Sequence, residues 1–298
     1  MNPTTKIIFT ICAFSLSVTA CSDMSLKEKS PSAEQTTTEK PLEKKPLNFC
    51  VGAVITPKEG LAYYRKLLDY IGEKLNRSVK YVDLATYKDV NEQLKRGQID
   101  VAFVCSGPYV AGHKDFGLEL IAAPQVNGEV VYYSYIIVPK DSSAKSLTDL
   151  RFRSFAFTDP ASNSGKRVPD YMLSKMGETP DSFFSRYVFT SAHDRSIRMV
   201  AQKMVDGAAV DSLIWEYMNQ TSPDITSQTR VLAKSDSYGI PPIVVRPGLD
   251  EDTKQEIKNV LFTMHNDIKG KEILKKMLIE KFVPAEDKNY DSIREIEE

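Results

Sequence analysis

VKYVDLATYKDVNEQLKRGQIDVAFVC, residues 79–105, reads as strand, helix, strand. VKYVDL (79–84) and DVAFVC (100–105) are short apolar runs rich in β-branched and aromatic residues. YKDVNEQLKRG (87–97) between them carries apolar residues at helical spacing and closes on Gly97. The same alternation precedes it, with LNFCVGAVI (47–55) as a strand and LAYYRKLLDYIGEKLN (61–76) as an amphipathic helix. Strand, helix, strand, helix, strand with short links specifies an α/β fold with a mostly parallel sheet and helices on its faces.

Downstream, VVYYSYIIVP (130–139) is a long extended segment, after which a second α/β unit begins. Its elements are a short helix at 146–150, a strand at 153–158, a helix from about Ser164 to Met176, a strand at 188–190, a helix at 197–207 and strands at 208–213 and 230–235. IPPIVVRP (240–247) leads back out, and two amphipathic stretches, 250–267 and 270–282, finish the chain. The layout expected is lobe 1 from 47–138 plus 246–298 and lobe 2 from 139–245, joined by two crossing strands with a cleft between them. Clefts of this kind are preferred ligand sites, and the C-terminal ends of strands face them.

FTDPASNSGKRVP (157–169) lies at such a strand end. Ser162, Asn163, Ser164 and Gly165 are either a helix cap or the seat of an anion, which unpaired first-turn N–H groups and short donor side chains hold well. Gly165 would let the backbone come close to that anion. Lys166 and Arg167, one or two residues into the helix, are expected to point to solvent.

The 298 residues contain 39 Lys and Arg against 40 Asp and Glu, scattered along the chain, which argues against a nucleic-acid partner. Lys6, the apolar run 7–18 and Val18-Thr19-Ala20-Cys21 form a targeting segment (1–20), and the step into Cys21 resembles a lipobox, implying lipid on that thiol. An ordinary signal peptide is the alternative. Residues 21–46, rich in Ser, Thr, Lys, Glu and Pro, form a disordered tether. Cys50 and Cys105 are expected to be buried thiols rather than a bridge. His113, His193 and His265 stand apart from any metal-ligand spacing, and no pattern asks for a metal or cofactor.

Five segments in order, 85–104, 130–142, 147–169, 190–211 and 237–245, resemble the phosphate, phosphite and phosphonate substrate-binding proteins of ABC transporters. The resemblance implies a two-lobed periplasmic-binding-protein fold of type II, no enzymatic activity, a small phosphorus oxyanion as ligand and a membrane permease as partner, with the chain working as a monomer. It places Ser162, Asn163, Ser164, Tyr87, Tyr132, His193 and Asp211 around the ligand. His193 would donate a hydrogen bond and, if cationic, add charge; Asp211 either accepts the proton of a partly protonated oxyanion or caps a helix. Relatives that take aminoalkyl phosphonates carry acids where this chain has Leu213 and Pro241, so an amine-free ligand is expected. A membrane-anchored sensor or adhesin using the same closure, or an enzyme acting on phosphoryl esters, are the other functions compatible with the sequence.

Overall fold

The computed structural model describes residues 44–52 and 57–296; the targeting segment, Cys21 and most of the expected tether lie outside the described residues. The described chain runs β1 (Leu47–Val51), α1 (Pro57–Leu75), β2 (Val79–Val82), α2 (Tyr87–Lys95), β3 (Val101–Phe103), α3 (Ser106–Phe116), β4 (Glu119–Gln125), β5 (Val131–Tyr132) and β6 (Ser134–Pro139). It continues with β7 (Ser154–Phe157), a π-helical turn (Asn163–Arg167), α4 (Val168–Ser174), α5 (Pro180–Phe183), β8 (Arg186–Phe189), α6 (His193–Ala201), β9 (Gly207–Asp211), α7 (Ser212–Thr221) and α8 (Pro223–Thr226). β10 (Thr229–Lys234), β11 (Tyr238–Gly239), β12 (Ile243–Val245), α9 (Glu251–Thr263), α10 (Ile268–Lys276), β13 (Lys281–Val283) and α11 (Asp291–Glu295) complete it.

Two sheets form the lobes, ordered β13-β4-β12-β3-β1-β2 and β10-β6-β9-β7-β8. Both are mixed rather than mostly parallel. β2, β1 and β3 run parallel, as do β8, β7 and β9. The strands beside them, β12, β4 and β13 in one sheet and β6 and β10 in the other, pair antiparallel. The reversal follows from the crossings: β6 enters the second sheet from the first lobe and β12 re-enters the first sheet from the second. β3 and β9 are buried along their whole length, as central strands covered on both faces must be. Val101 and Phe103 pack with α1 and α9 on one face of the first sheet, while Ala102 and Val104 pack with α2 and α3 on the other.

The lobe boundaries expected at 138/139 and 245/246 therefore shift. β6 belongs to the second sheet and β12 to the first, leaving β5 and β11 as the crossing, paired antiparallel with Tyr238 opposite Tyr132. The expected tether also ends earlier than residue 46, because Lys44 Nζ sits 2.6 Å from Glu256 Oε1 and the Arg77 side chain bonds the Lys45 carbonyl. The chain's end laps the crossing: the Tyr290 hydroxyl donates to the Ile240 carbonyl at 3.0 Å, and Tyr290 rests against Gly239. Cys50 and Cys105 are both buried free thiols.

Candidate functional site

Strand β7 ends at Phe157, and Thr158 to Gly165 make the turn into the π-helical segment and α4. Ser162 caps it, its Oγ accepting the Gly165 N–H at 3.1 Å, so the capping alternative describes Ser162. Ser164 is different. Its carbonyl accepts the Ser134 hydroxyl at 2.6 Å, yet its own Oγ is buried without a partner. Asn163 Nδ2 donates to the Tyr132 hydroxyl at 3.1 Å while Oδ1 is a second buried orphan. Turning that amide over keeps the bond to Tyr132, whose hydroxyl then donates, and offers two N–H donors instead.

Gly165 does not expose backbone to a ligand, as its sequence context suggested. A Cβ there would stand 2.6 Å from both Cβ and Oγ1 of Thr158, so the glycine lets the turn pack onto Thr158. That contact matters because Thr158 Oγ1 is 3.1 Å from His193 Nδ1.

His193 opens α6 and is fully buried. Its Nδ1 accepts the Asp211 backbone N–H at 3.0 Å, which fixes the neutral tautomer with the proton on Nε2. Burial pushes its pKa down to about 3, so the cationic form considered from sequence does not arise near neutral pH. Nε2–H is therefore a single uncharged donor, and it too is a buried orphan.

Asp211 ends β9 and caps α7, Oδ1 accepting the Leu213 N–H at 2.7 Å. Burial pushes its pKa up to about 7, against the opposing pull of the Leu213 and Ile214 N–H groups. One residue thus serves as cap and as a carboxyl poised to hold or release a proton.

The first lobe and the crossing supply the opposite wall. Tyr87 begins α2, is fully buried, and presents an orphan hydroxyl that feels Cys105, Asp159, Asp211 and Tyr132. Tyr132 lies on β5, with Tyr133 and Tyr135 on the other face as alternation requires. Burial holds both buried phenols well above their ordinary pKa, so they remain O–H groups. Four buried orphans, Tyr87 Oη, Asn163 Oδ1, Ser164 Oγ and His193 Nε2, thus belong to one cluster with Tyr132 and Asp211.

Three neighbours escaped the sequence reading. Cys105 lies where the starts of α3 and the π-turn meet across the lobes, and the backbone N–H groups of Asn163 and Gly107 there oppose the rise that burial gives its thiol pKa. Gly107 permits this approach: a Cβ there would lie 2.8 Å from the Ala161 carbonyl. Asp159 Oδ2 lies 3.5 Å from the Tyr87 N–H, meeting the first turn of α2 from the second lobe. Lys166 and Arg167 do not point to solvent. Lys166 pairs with Asp170 and lies 4.9 Å above the Phe157 ring, and Arg167 packs against Gly107, its guanidinium pKa lowered by burial.

Beside the cluster is an interlobe cavity of about 660 Å³. It is lined by Asp211 and by both Leu213 and Pro241, but not by Tyr87, Asn163, Ser164 or His193, which are buried.

The two shifted groups oppose each other in stability. The folded state keeps His193 neutral and so loses stability as pH falls from 6.5 to about 3; it keeps Asp211 protonated and so loses stability as pH rises from 3.8 to about 7. Between about 4 and 6.5 the two slopes cancel. Asp211→Asn should expose the histidine alone, with stability climbing about 1.4 kcal/mol per pH unit across that window, read by denaturant titration at several pH values. An unchanged pH profile would remove the basis for both assignments.

Residues 49–290 match the family model described as "ABC transporter, phosphonate, periplasmic substrate-binding protein". The chain is 24% identical over 259 residues to the phosphonates-binding periplasmic protein of Escherichia coli K12, covering 85% of this chain and 76% of that one. It is 25% identical over 240 residues to the probable ABC transporter phosphite binding protein PhnD1 of Prochlorococcus marinus MIT 9301, covering 76% and 80%. The PhnD1 structure in complex with methylphosphonate superposes with a TM-score of 0.77 at 21% identity, over 85% of this chain and 97% of that one. A binding protein component of an ABC phosphonate transporter from Pseudomonas aeruginosa superposes with a TM-score of 0.79 at 24% identity, over 85% of both chains. The architecture is that of the two-lobed periplasmic binding proteins, and the chain belongs to the phosphonate-binding periplasmic substrate-binding proteins of ABC transporters.

Proposed function

We propose that this protein is a lipid-anchored, extracytoplasmic solute-binding component that holds a small phosphorus oxyanion between its lobes and presents it to a membrane permease. The observation that carries the reading is the set of buried, partnerless polar atoms contributed by both lobes, Tyr87 Oη from one and Asn163 Oδ1, Ser164 Oγ and His193 Nε2 from the other. Leaving such groups unpaired costs about 1–3 kcal/mol each, and a tetrahedral oxyanion supplies acceptors for several at once. Asp211 provides the complementary acceptor for a ligand O–H, or lends its own proton to a fully ionised ligand. Phosphonate, phosphite and phosphate all suit this seat, in keeping with what the Escherichia coli and Prochlorococcus relatives are named for. Lipid on Cys21 and residues 22–43 as a tether complete the reading, with the folded part working as a monomer. Closure about β5 and β11 brings Tyr87 to Asp159 and Gly107 to the Ala161 carbonyl.

Calorimetry against phosphate, phosphite, methylphosphonate, aminoethylphosphonate and sulfate tests it. Binding of the amine-free phosphorus acids is expected. Binding of aminoethylphosphonate alone would overturn the reading of Leu213 and Pro241. Two serine variants separate seat from scaffold. Ser164→Ala should weaken methylphosphonate binding by about 1–3 kcal/mol while leaving the free protein as stable or slightly more so, because a buried orphan is removed. Ser162→Ala should instead lower stability by about 0.5–2 kcal/mol through loss of the cap. Equal thermal shifts for both would contradict the division. Sulfate brings no proton near neutral pH and needs protonated Asp211, so its affinity should fall about tenfold per pH unit above 7.

A further inference from the structure

We propose that the ligand this chain takes best is a phosphorus oxyacid bearing an apolar substituent about the size of an aromatic ring, with the acid group in the buried seat and the substituent in the interlobe cavity. The inference rests on the reading of the seat given above and extends it to the part of the ligand the seat does not touch.

The seat and the cavity are different in kind. Tyr87, Tyr132, Asn163, Ser164 and His193 are at most 1% exposed, which closes the seat on those sides. Asp211 is the seat residue that also lines the cavity, so a bond leaving the phosphorus past Asp211 enters it directly. The cavity's volume, about 660 Å³, falls within the roughly 300–1,000 Å³ of sites that take whole organic ligands, far more than a bare oxyanion or a methyl group requires.

Its chemistry is layered. Val51, Phe103, Tyr64, Leu213, Ile214 and Pro241 form a buried or half-buried apolar lining next to Asp211. Charged residues stand at the exposed mouth, two of them engaged: Glu216 accepts the Tyr135 hydroxyl at 3.3 Å, and Lys234 Nζ lies 3.4 Å over the Tyr133 ring. An apolar inner wall with a polar rim favours an uncharged hydrocarbon or aryl group, whose burial adds affinity in proportion to the apolar area removed from water. Both lobes contribute, Phe103 and Val51 from the first sheet and Leu213 and Ile214 from the second lobe, so such a substituent is gripped when the lobes close.

The test is calorimetry on the full chain with phosphate, methylphosphonate and phenylphosphonate as probes. Phenylphosphonate is expected to bind at least tenfold more tightly than methylphosphonate, and Leu213→Trp, which narrows the cavity, should bring the ratio of the two affinities down to one or below. If phosphate and methylphosphonate bind while phenylphosphonate is weaker or inert, the inference about the cavity is wrong and the seat stands. If none of the three binds, the reading of the seat fails first. A wild-type preference that Leu213→Trp leaves unchanged would place the ring outside this cavity and overturn the proposal.

Discussion

His193→Ala should abolish most ligand affinity, by about 100-fold or more, equivalent to about 2.7 kcal/mol. The imidazole holds two jobs on its two nitrogens. Nε2–H is the buried donor left over for the ligand, and Nδ1 accepts the Asp211 backbone N–H at 3.0 Å with Thr158 Oγ1 at 3.1 Å. Alanine removes the donor and strands a buried N–H, so the free protein should also lose about 1–3 kcal/mol of stability. Two further variants separate these losses. An asparagine amide oxygen reaches the place of Nδ1, so His193→Asn should recover stability without affinity; a glutamine amide nitrogen reaches the place of Nε2, so His193→Gln should recover part of the affinity. Because the histidine is neutral, any change of affinity with pH near 6.5 to 7 belongs to Asp211 and should persist in the Asn and Gln variants, with no added step from the histidine itself. Such a step, absent from the Asn and Gln variants, would show a cationic His193 and contradict the tautomer.

Gly165→Ala should be the second most damaging change. In a helix an alanine normally gains about 1 kcal/mol over glycine. Here the added Cβ meets Thr158 Cβ and Oγ1 at 2.6 Å and Ser162 Oγ at 2.9 Å, distances that real Cβ atoms do not tolerate. The turn must lift away from β7, which costs about 1–3 kcal/mol as overpacking and pulls Thr158 from His193 and Ser162 from its cap. Melting temperature and affinity should fall together, the latter by about 100-fold or more. A variant as stable and as tight-binding as wild type would mean that the turn has slack where the structure places contact.

The α/β alternation was legible because it rests on local patterns. Thr86 caps α2 through Asp89 N–H at 3.1 Å, Gly97 follows it with positive φ, and Tyr87, Val90 and Leu94 form its buried stripe. What local pattern cannot carry is strand direction across the lobes, which is why the sequence alone divides the lobes at 138/139 and 245/246 although β6 belongs to the second sheet and β12 to the first. α3 and β4 are not legible in the sequence for another reason. SGPYVAGHKDF holds two internal glycines and a proline tolerated only because it sits in the first turn, and Glu119–Gln125 contains a proline within its strand.

At the site, the residue types of Ser162 to Gly165 announced a special turn, but not the division of labour within it. Which serine caps and which is free depends on whether Oγ reaches the Gly165 N–H or is left buried without a partner, a fact of the fold. Cys105 and Gly107 carry no signal as single letters, since their role is the approach of two chain segments more than fifty residues apart in sequence. Arg167 departs from the expectation because a basic residue early in a helix usually finds water, whereas here the first lobe covers it.

The most direct test of the central claim is a crystal structure of the chain with methylphosphonate. The account requires the phosphonate oxygens within hydrogen-bond reach, about 2.6–3.2 Å, of Ser164 Oγ, His193 Nε2 and Tyr87 Oη. A phosphorus atom lodged elsewhere, with those three atoms still unpartnered, would contradict it.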